Sequence, residues 1–255
     1  MEIEQNAKKP DYGNWVATRL NYGPAIFGLG LLVIGIFIHF FIYLAIPFLL
    51  IAAYFAYARH AFAPDGGNVQ EKIQALVFDY LNWDGKSKAL DIGCGSGSLT
   101  ISLAKHYPMA RVTGIDTWGA QWEYSKTVCE KNAQLEGVAE HVTFQKASAS
   151  VLPFKNDEFD AAVSNLVFHE IKAAKDKKKV LREALRVVRK GGSFAFQDLF
   201  LIRSMYGEID DLLVTILSWG ISSVHFVATN QQAFIPRALK LPFMVGTIGI
   251  IYGVK

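Results

Sequence analysis

The chain has 255 residues, 51% of them hydrophobic, with a mean hydropathy of +0.21. That is apolar for a purely soluble protein, and the length suits one domain with an appendage. A net charge of +3 tolerates an anionic membrane surface but is too small for a nucleic-acid footprint. Cys94 and Cys129, the two cysteines, have no metal-ligand spacing and no disulfide framework, so a metal site is not expected.

Residues 25–58 contain no Asp, Glu, Lys or Arg, and His39 is their strongly polar side chain. Such a run is a transmembrane candidate. It starts too late and runs too long for the apolar core of a signal peptide. As one straight helix it would measure about 50 Å, against about 30 Å of hydrocarbon. Lys8, Lys9 and Arg19 flank its front and Arg59 its back. Basic residues favour the cytoplasmic side, so both ends inside implies a transmembrane helical hairpin. Its first helix is expected to start near Asn14 and its turn to fall at 38–41, with His39 at the tip. Tyr54, Phe55 and Tyr57 read as an interfacial aromatic belt. The expected location is the cell membrane, with the lipid bilayer as a partner and the following domain facing the cytoplasm.

The loop signal APDGGN at 63–68 divides a membrane anchor, residues 1–62, from a domain at 63–255. Apolar spacing predicts helices at 69–81, 97–107, 120–135, 175–189 and 208–217. Strands are predicted at 88–92, 111–116, 142–146, 159–164, 193–198, 224–229 and 247–255. Gly191-Gly192 is read as the stop of the fourth helix. Strands alternating with helices imply a doubly wound, Rossmann-like α/β sheet. Ligands of such sheets bind beyond the carboxyl ends of the strands.

The stretch ALDIGCGSGS at 89–98 joins the first of these strands to a helix. Gly93, Gly95 and Gly97, with Cys94 among them, form a turn that admits a ligand against bare backbone. A dinucleotide loop requires G-x-G-x-x-G, and Ser98 stands where the third glycine would be. Asp91, two residues ahead of the loop, repels a pyrophosphate and favours a cation. S-adenosylmethionine carries a sulfonium and an ammonium and no phosphate, so the charge sign selects it. In GIDTW at 114–118, Asp116 ends the second strand where a carboxylate accepts ribose hydroxyls. Thr117 and Trp118 follow, with Trp118 a candidate to pack on the adenine.

These segments resemble the class I S-adenosylmethionine-dependent methyltransferase family. ALDIGCGSGSLT is similar to its first motif, and GIDTW to the acidic end of its second strand. VLPFKNDEFDAAVSNLVFHEI resembles the stretch through its fourth strand, and LREALRVVRKGGSFAFQD its following helix, glycine turn and fifth strand. The resemblance implies a seven-stranded, mostly parallel sheet with an antiparallel last strand, and S-adenosylmethionine as cofactor. The membrane hairpin lies outside the common core. Ser148 stands where many relatives place an acid that binds the adenine amino group; its hydroxyl and the Ala149 backbone remain as adenine contacts.

Methyl transfer needs an aligned acceptor and excluded water. A base is required only where the acceptor loses a proton. Asn165 follows the fourth strand as a cofactor contact, and His169 is the candidate catalytic base. Glu170 suits a first helical turn, Asp198 points to the same crevice, and Asp160 at the far end is structural. The basic run from Lys172 to Lys179, with Arg182, suits a solvated helix face or lipid headgroups. The expected function is a membrane-anchored methyltransferase acting on a small or amphipathic acceptor, lipid or quinone-like. The alternatives are an NAD-dependent oxidoreductase, which Ser98 and Asp91 oppose, and a non-catalytic S-adenosylmethionine-binding membrane protein.

Overall fold

A computed structural model describes residues 9–119 and 125–255. The chain divides into two compact units, Gly13–Ile73 and a second made of Gln74–Lys255 with the residues up to Tyr12. Lys8 and the start of the helix expected at 120–135 lie outside the described residues.

The first unit is a helical hairpin of α1 (Thr18–Gly35) and α2 (Phe40–Phe62). Small residues let the two helices approach: a Cβ on Gly28 would stand 2.9 Å from a Leu49 methyl, and one on Gly35 2.6 Å from Ile42. Phe27 and Phe48 meet edge to face at 4.6 Å. The turn occupies residues 36–39, two positions earlier than expected, because α1 ends at Gly35, where Ile42 closes against the bare backbone. His39 is exposed in that turn. The first helix starts at Thr18 rather than near Asn14. The Asn14 amide donates to the Arg59 carbonyl at 2.9 Å, and its oxygen accepts from Val16 N. That side chain therefore fixes a non-helical entry, which the Arg59 guanidinium completes by donating to Val16 O at 2.6 Å. Among the described residues α2 is the one helix long and apolar enough to cross a membrane.

A third helix, α3 (Val69–Tyr80), carries the chain into the second unit. That unit is a three-layer α/β domain. Its strands are β1 (Lys88–Ile92), β2 (Arg111–Asp116), β3 (Val142–Lys146), β4 (Phe159–Asn165), β5 (Val188–Asp198), β6 (Ser223–Ala228) and β7 (Gly249–Val254). They form one sheet in the order β3-β2-β1-β4-β5-β7-β6. Parallel pairing runs from β3 to β5, and β7 lies antiparallel between β5 and the edge strand β6. The crossover helices are α4 (Ser98–His106), α5 (Lys126–Leu135), α6 (Lys177–Arg186), α7 (Arg203–Tyr206) and α8 (Ile209–Leu217).

Successive strand residues point to opposite faces, and the two cores follow that alternation. Leu90, Ala162, Phe194 and Phe196 face Val180, Leu181, Leu212 and Ile216 of α6 and α8. Ala89, Ala161, Val163 and Ala195 face Leu99, Ile101, Leu103, Cys129 and Ala133 of α4 and α5. Each fully buried large side chain contributes about 1.5–3 kcal/mol. Ser125 caps α5 by accepting from Val128 N at 3.2 Å, and Asp176 caps α6 by accepting from Lys178 N at 3.0 Å.

The helix expected at 175–189 is shorter than its apolar pattern, and the glycine pair does not stop it. The Arg186 guanidinium is committed to Glu183, Leu152 O and Phe154 O. The Val187 carbonyl accepts from both Glu158 N and Phe159 N at 2.9 Å. Pairing with β4 therefore ends α6 and starts β5, and Gly191-Gly192 lie inside the strand.

Gly114 in β2 leaves room for α4 to close on the sheet: a Cβ there would stand 2.6 Å from Thr100 Oγ1 and 3.1 Å from Cys94 Cβ. Gly114→Val is expected to lower stability by about 1–3 kcal/mol through overpacking. Urea unfolding of the full chain in detergent, followed by near-ultraviolet circular dichroism, measures it.

Candidate active site

The carboxyl ends of β1, β2, β4 and β5 lie side by side, with that of β3 next to β2; Asp91, the glycine loop, Asp116, Thr117, Trp118, Asn165 and His169 lie at or just past the first four, and Ser148 and Ala149 just past β3. The β1–α4 loop turns at Gly93, Gly95 and Gly97, with φ of 77°, 54° and 84°. Gly93 is required sterically as well, since a Cβ there would meet Val167 methyls at 2.2 and 2.5 Å. Gly93 N and Cys94 N both donate to Ile115 O, at 2.8 and 2.9 Å. Gly95 N donates to Asp116 Oδ2 at 3.0 Å, and Trp118 N to Asp116 Oδ1 at 2.8 Å. Each oxygen keeps a further lone pair for a ligand hydroxyl.

Trp118 adopts φ 42°, unusual for a bulky residue. Its indole N–H donates to Gly95 O at 2.9 Å, so the ring is fixed beside the loop. Thr117 is exposed. Ser148 closes a local turn, accepting from Ser150 N at 3.3 Å and sharing a hydroxyl contact of 2.8 Å with Ser150. Ala149 is buried in the core on the α6 side.

Asp91 is 1% exposed. Its Oδ2 accepts from Thr100 Oγ1 at 2.6 Å. Among the described residues its Oδ1 is buried with no hydrogen-bond partner, and so is Asn165 Oδ1 on the adjacent strand. Burial pushes the Asp91 carboxyl up from 3.8 to about 7, against the Thr100 hydrogen bond and with the help of the Asp116 charge. Two orphaned acceptors on adjacent strands, one of them next to the Asp116 charge, fit a ligand that brings N–H donors and positive charge.

His169 lies in a 3₁₀ turn, Phe168–Glu170, just past β4. Its Nδ1 meets Asp198 Oδ1 at 2.7 Å, and its backbone N donates to Asp198 Oδ2 at 3.1 Å. Leu199 N also donates to Asp198 Oδ1, at 2.6 Å. Asp198 is fully buried at the end of β5. Burial alone pulls the imidazole pKa down, but the Asp198 hydrogen bond and the charges of Asp198 and Glu170 outweigh it and hold it above 6.5. Glu170 Oε1 lies 3.7 Å from Nε2. Desolvation raises the Glu170 carboxyl, as do the charges of Asp198 and Asp116. Asp160 is structural, holding Lys88 N at 3.0 Å and Arg189 Nε at 2.5 Å.

Local sequence pattern did not single out Asn132, Ser96, the Asp11–Tyr12 stretch or Tyr206. The Asn132 side chain accepts from Asp11 N at 2.9 Å and donates to Asp11 O at 2.7 Å and Ser96 O at 3.1 Å. Ser96 Oγ donates to Tyr12 O at 3.3 Å. The stretch Asp11–Tyr12 thus clasps the glycine loop through Asn132. A buried asparagine on an apolar helix face was its one visible signal. Tyr206, 1% exposed, places its hydroxyl under the Asp198 charge.

Residues 90–196 match the family described as Methyltransferase domain. Methyltransferase GfsG of Streptomyces halstedii is 29% identical over 150 residues, covering 58% of this chain and 49% of that protein. The 27-O-demethylrifamycin SV methyltransferase of Amycolatopsis mediterranei is 33% identical over 138 residues, covering 54% and 48%. The chain spans about half the length of these relatives. Among solved structures, the geranyl diphosphate C-methyltransferase of Streptomyces coelicolor A3(2) has a TM-score of 0.56 at 14% identity, covering 74% of this chain and 80% of that one. The [4+2]-cyclase SpnF has a TM-score of 0.55 at 18% identity, covering 74% and 81%. The family match and the named relatives support an S-adenosylmethionine-dependent methyltransferase, and S-adenosylmethionine is the cofactor that these residues fit.

In the folded chain Asp91 keeps its proton to about pH 7, whereas an unfolded chain releases it near its ordinary value. Stability therefore falls as pH rises between those values. Asp91→Asn is expected to flatten that decline, read from urea midpoints at mildly acidic and mildly alkaline pH. It is also expected to weaken S-adenosylmethionine binding about tenfold, the order of one charged hydrogen bond, by calorimetry.

Proposed function

We propose that this chain is a membrane-tethered methyltransferase that uses S-adenosylmethionine to methylate a small amphipathic acceptor, lipid or quinone-like in class. The observation that carries the reading is the meeting, at one sheet end, of two orphaned acceptors, the Asp116-clamped glycine loop and the His169–Asp198 pair. Asp91 and Asn165 would receive the ammonium group, Asp116 the ribose hydroxyls, and Trp118, Ser148 and Ala149 the adenine. When bound, the cofactor supplies an electrophilic methyl on a sulfonium leaving group.

The protein's own contribution is positioning and proton transfer. With the Nδ1 proton shared with Asp198, the His169 Nε2 lone pair is available to an acceptor hydroxyl or amine. As that atom takes the methyl group, its proton passes to Nε2. The buried Asp198 carboxylate stabilises the imidazolium, and two backbone N–H groups hold Asp198 in place. The hairpin supports the membrane half of the reading. Ile26, Tyr43 and Leu50 on its two helices and Phe37 in its turn are exposed, and Arg19 in the first turn of α1 and Arg59 in the last turn of α2 stand at its open end. Basic residues at that end favour the cytoplasmic side.

His169→Gln is expected to lower kcat by about 10²–10⁴ with little change in cofactor affinity. The base works when neutral, so activity rises as pH passes above the His169 pKa. Asp198→Asn lowers that pKa and is expected to shift the rise toward acid, measured as a kcat–pH profile. The substrate class is tested by incubating the detergent-solubilised chain with methyl-labelled cofactor and membrane lipid extract or aqueous metabolites. Label in the lipid phase is the expected result; label confined to aqueous metabolites rejects an amphipathic acceptor.

A further inference from the structure

The connection between β6 and β7 runs from residue 229 to residue 248, where an antiparallel pair commonly uses about 2–5 residues. It is an ordered element. Leu239 and Val245 are buried at 0% and 2%. Asn230 Nδ2 donates to Gly246 O at 2.7 Å, and Lys240 Nζ to Gln232 O at 3.2 Å. Thr247 O accepts from Leu201 N at 3.1 Å, just past β5. Gln197 Nε2 donates to the buried Thr229 hydroxyl at 3.2 Å. Ala228 and Asp198 both pair with Gly249. The loop therefore rises from the same sheet end as the His169–Asp198 site.

Its chemistry is one-sided. Residues 229–248 contain no Asp or Glu, and Arg237 and Lys240 are their charged residues. The tip shows Leu241, Pro242 and Phe243 to the exterior, with Leu241 39% and Phe243 66% exposed. Lys172 and Lys175 are exposed on the segment after β4, at the same sheet end. An apolar tip on a loop whose charges are all positive fits the boundary between headgroups and acyl chains. Each cation there gains from an anionic leaflet.

We propose that the 229–248 loop is a membrane-docking element. Leu241–Phe243 enters the outer acyl region of an anionic leaflet, and Arg237, Lys240, Lys172 and Lys175 engage its headgroups. The open end of the site then faces the bilayer and admits an acceptor resident in the leaflet. The proposal rests on reading the hairpin as a membrane anchor.

The test uses the full chain reconstituted in phosphatidylcholine vesicles with or without phosphatidylglycerol. An environment-sensitive fluorophore is placed at Phe243→Cys and, as control, at Lys86→Cys in the exposed turn before β1, at the opposite sheet end. Docking predicts a blue shift and quenching by brominated lipid at 243 and none at 86. It predicts stronger quenching with phosphatidylglycerol, lost in a chain that also carries Arg237→Glu and Lys240→Glu. Alkaline carbonate washing of the same vesicles scores the anchor separately. A probe at 243 that reads water on vesicles retaining the chain overturns docking and leaves the anchor standing. A shift at 243 on adding S-adenosylhomocysteine, without lipid quenching, marks a lid over the site and also overturns it. A chain that neither floats with vesicles nor quenches overturns both readings.

Discussion

The glycine loop is held shut against β2, and the rest of the site is arranged around that closure. Two loop N–H groups share the Ile115 carbonyl and a third reaches Asp116. These bonds fix where the bare backbone faces and how far α4 stands from the sheet. Asp116 serves the fold with one lone pair on each oxygen and leaves the others to a ligand. The tightness of the packing behind it, at Gly114 and Thr100, makes the loop's position a property of the core.

Acid is concentrated at this sheet end. Asp91, Asp116, Glu170 and Asp198 act on one another electrostatically, and the burial of Asp91 and Asp198 strengthens the effect. Carboxyl groups gathered in this way favour a cation placed among them. The same fold hosts other chemistry, as the similarity to the cyclase SpnF illustrates, so the sheet alone does not assign a reaction. Here the assignment leans on the His169–Asp198 pair. A buried carboxylate held by two N–H groups gives the imidazole one orientation and one tautomer.

The sheet was legible because its strands are short apolar runs punctuated by glycine and acid. Both ends of β1 and β2 could be read to the residue. The end of α6 could not, since the apolar period continues through Val187 and Val188 while the decision belongs to β4, far away in sequence. The start of α1 was hidden for a similar reason: Asn14 finds its partner at Arg59. In the site, Asp91, Asp116 and His169 announced themselves by type and position. That Asp198 would meet His169 depended on the register of β4 with β5, and the Asn132 clasp on a contact with Asp11, neither visible in local pattern.

That clasp has a practical consequence for anyone wishing to study the protein in plain buffer. The obvious cut, just after α2, discards Asp11 and Tyr12 with the hairpin. Asn132 would then lose its pairing with the Asp11 backbone, and Ser96 its acceptor. The glycine loop would be left with one side unbuttressed. A shortened protein that fails to bind would thus say little about the intact one, unless the peptide ahead of the hairpin were spliced back on.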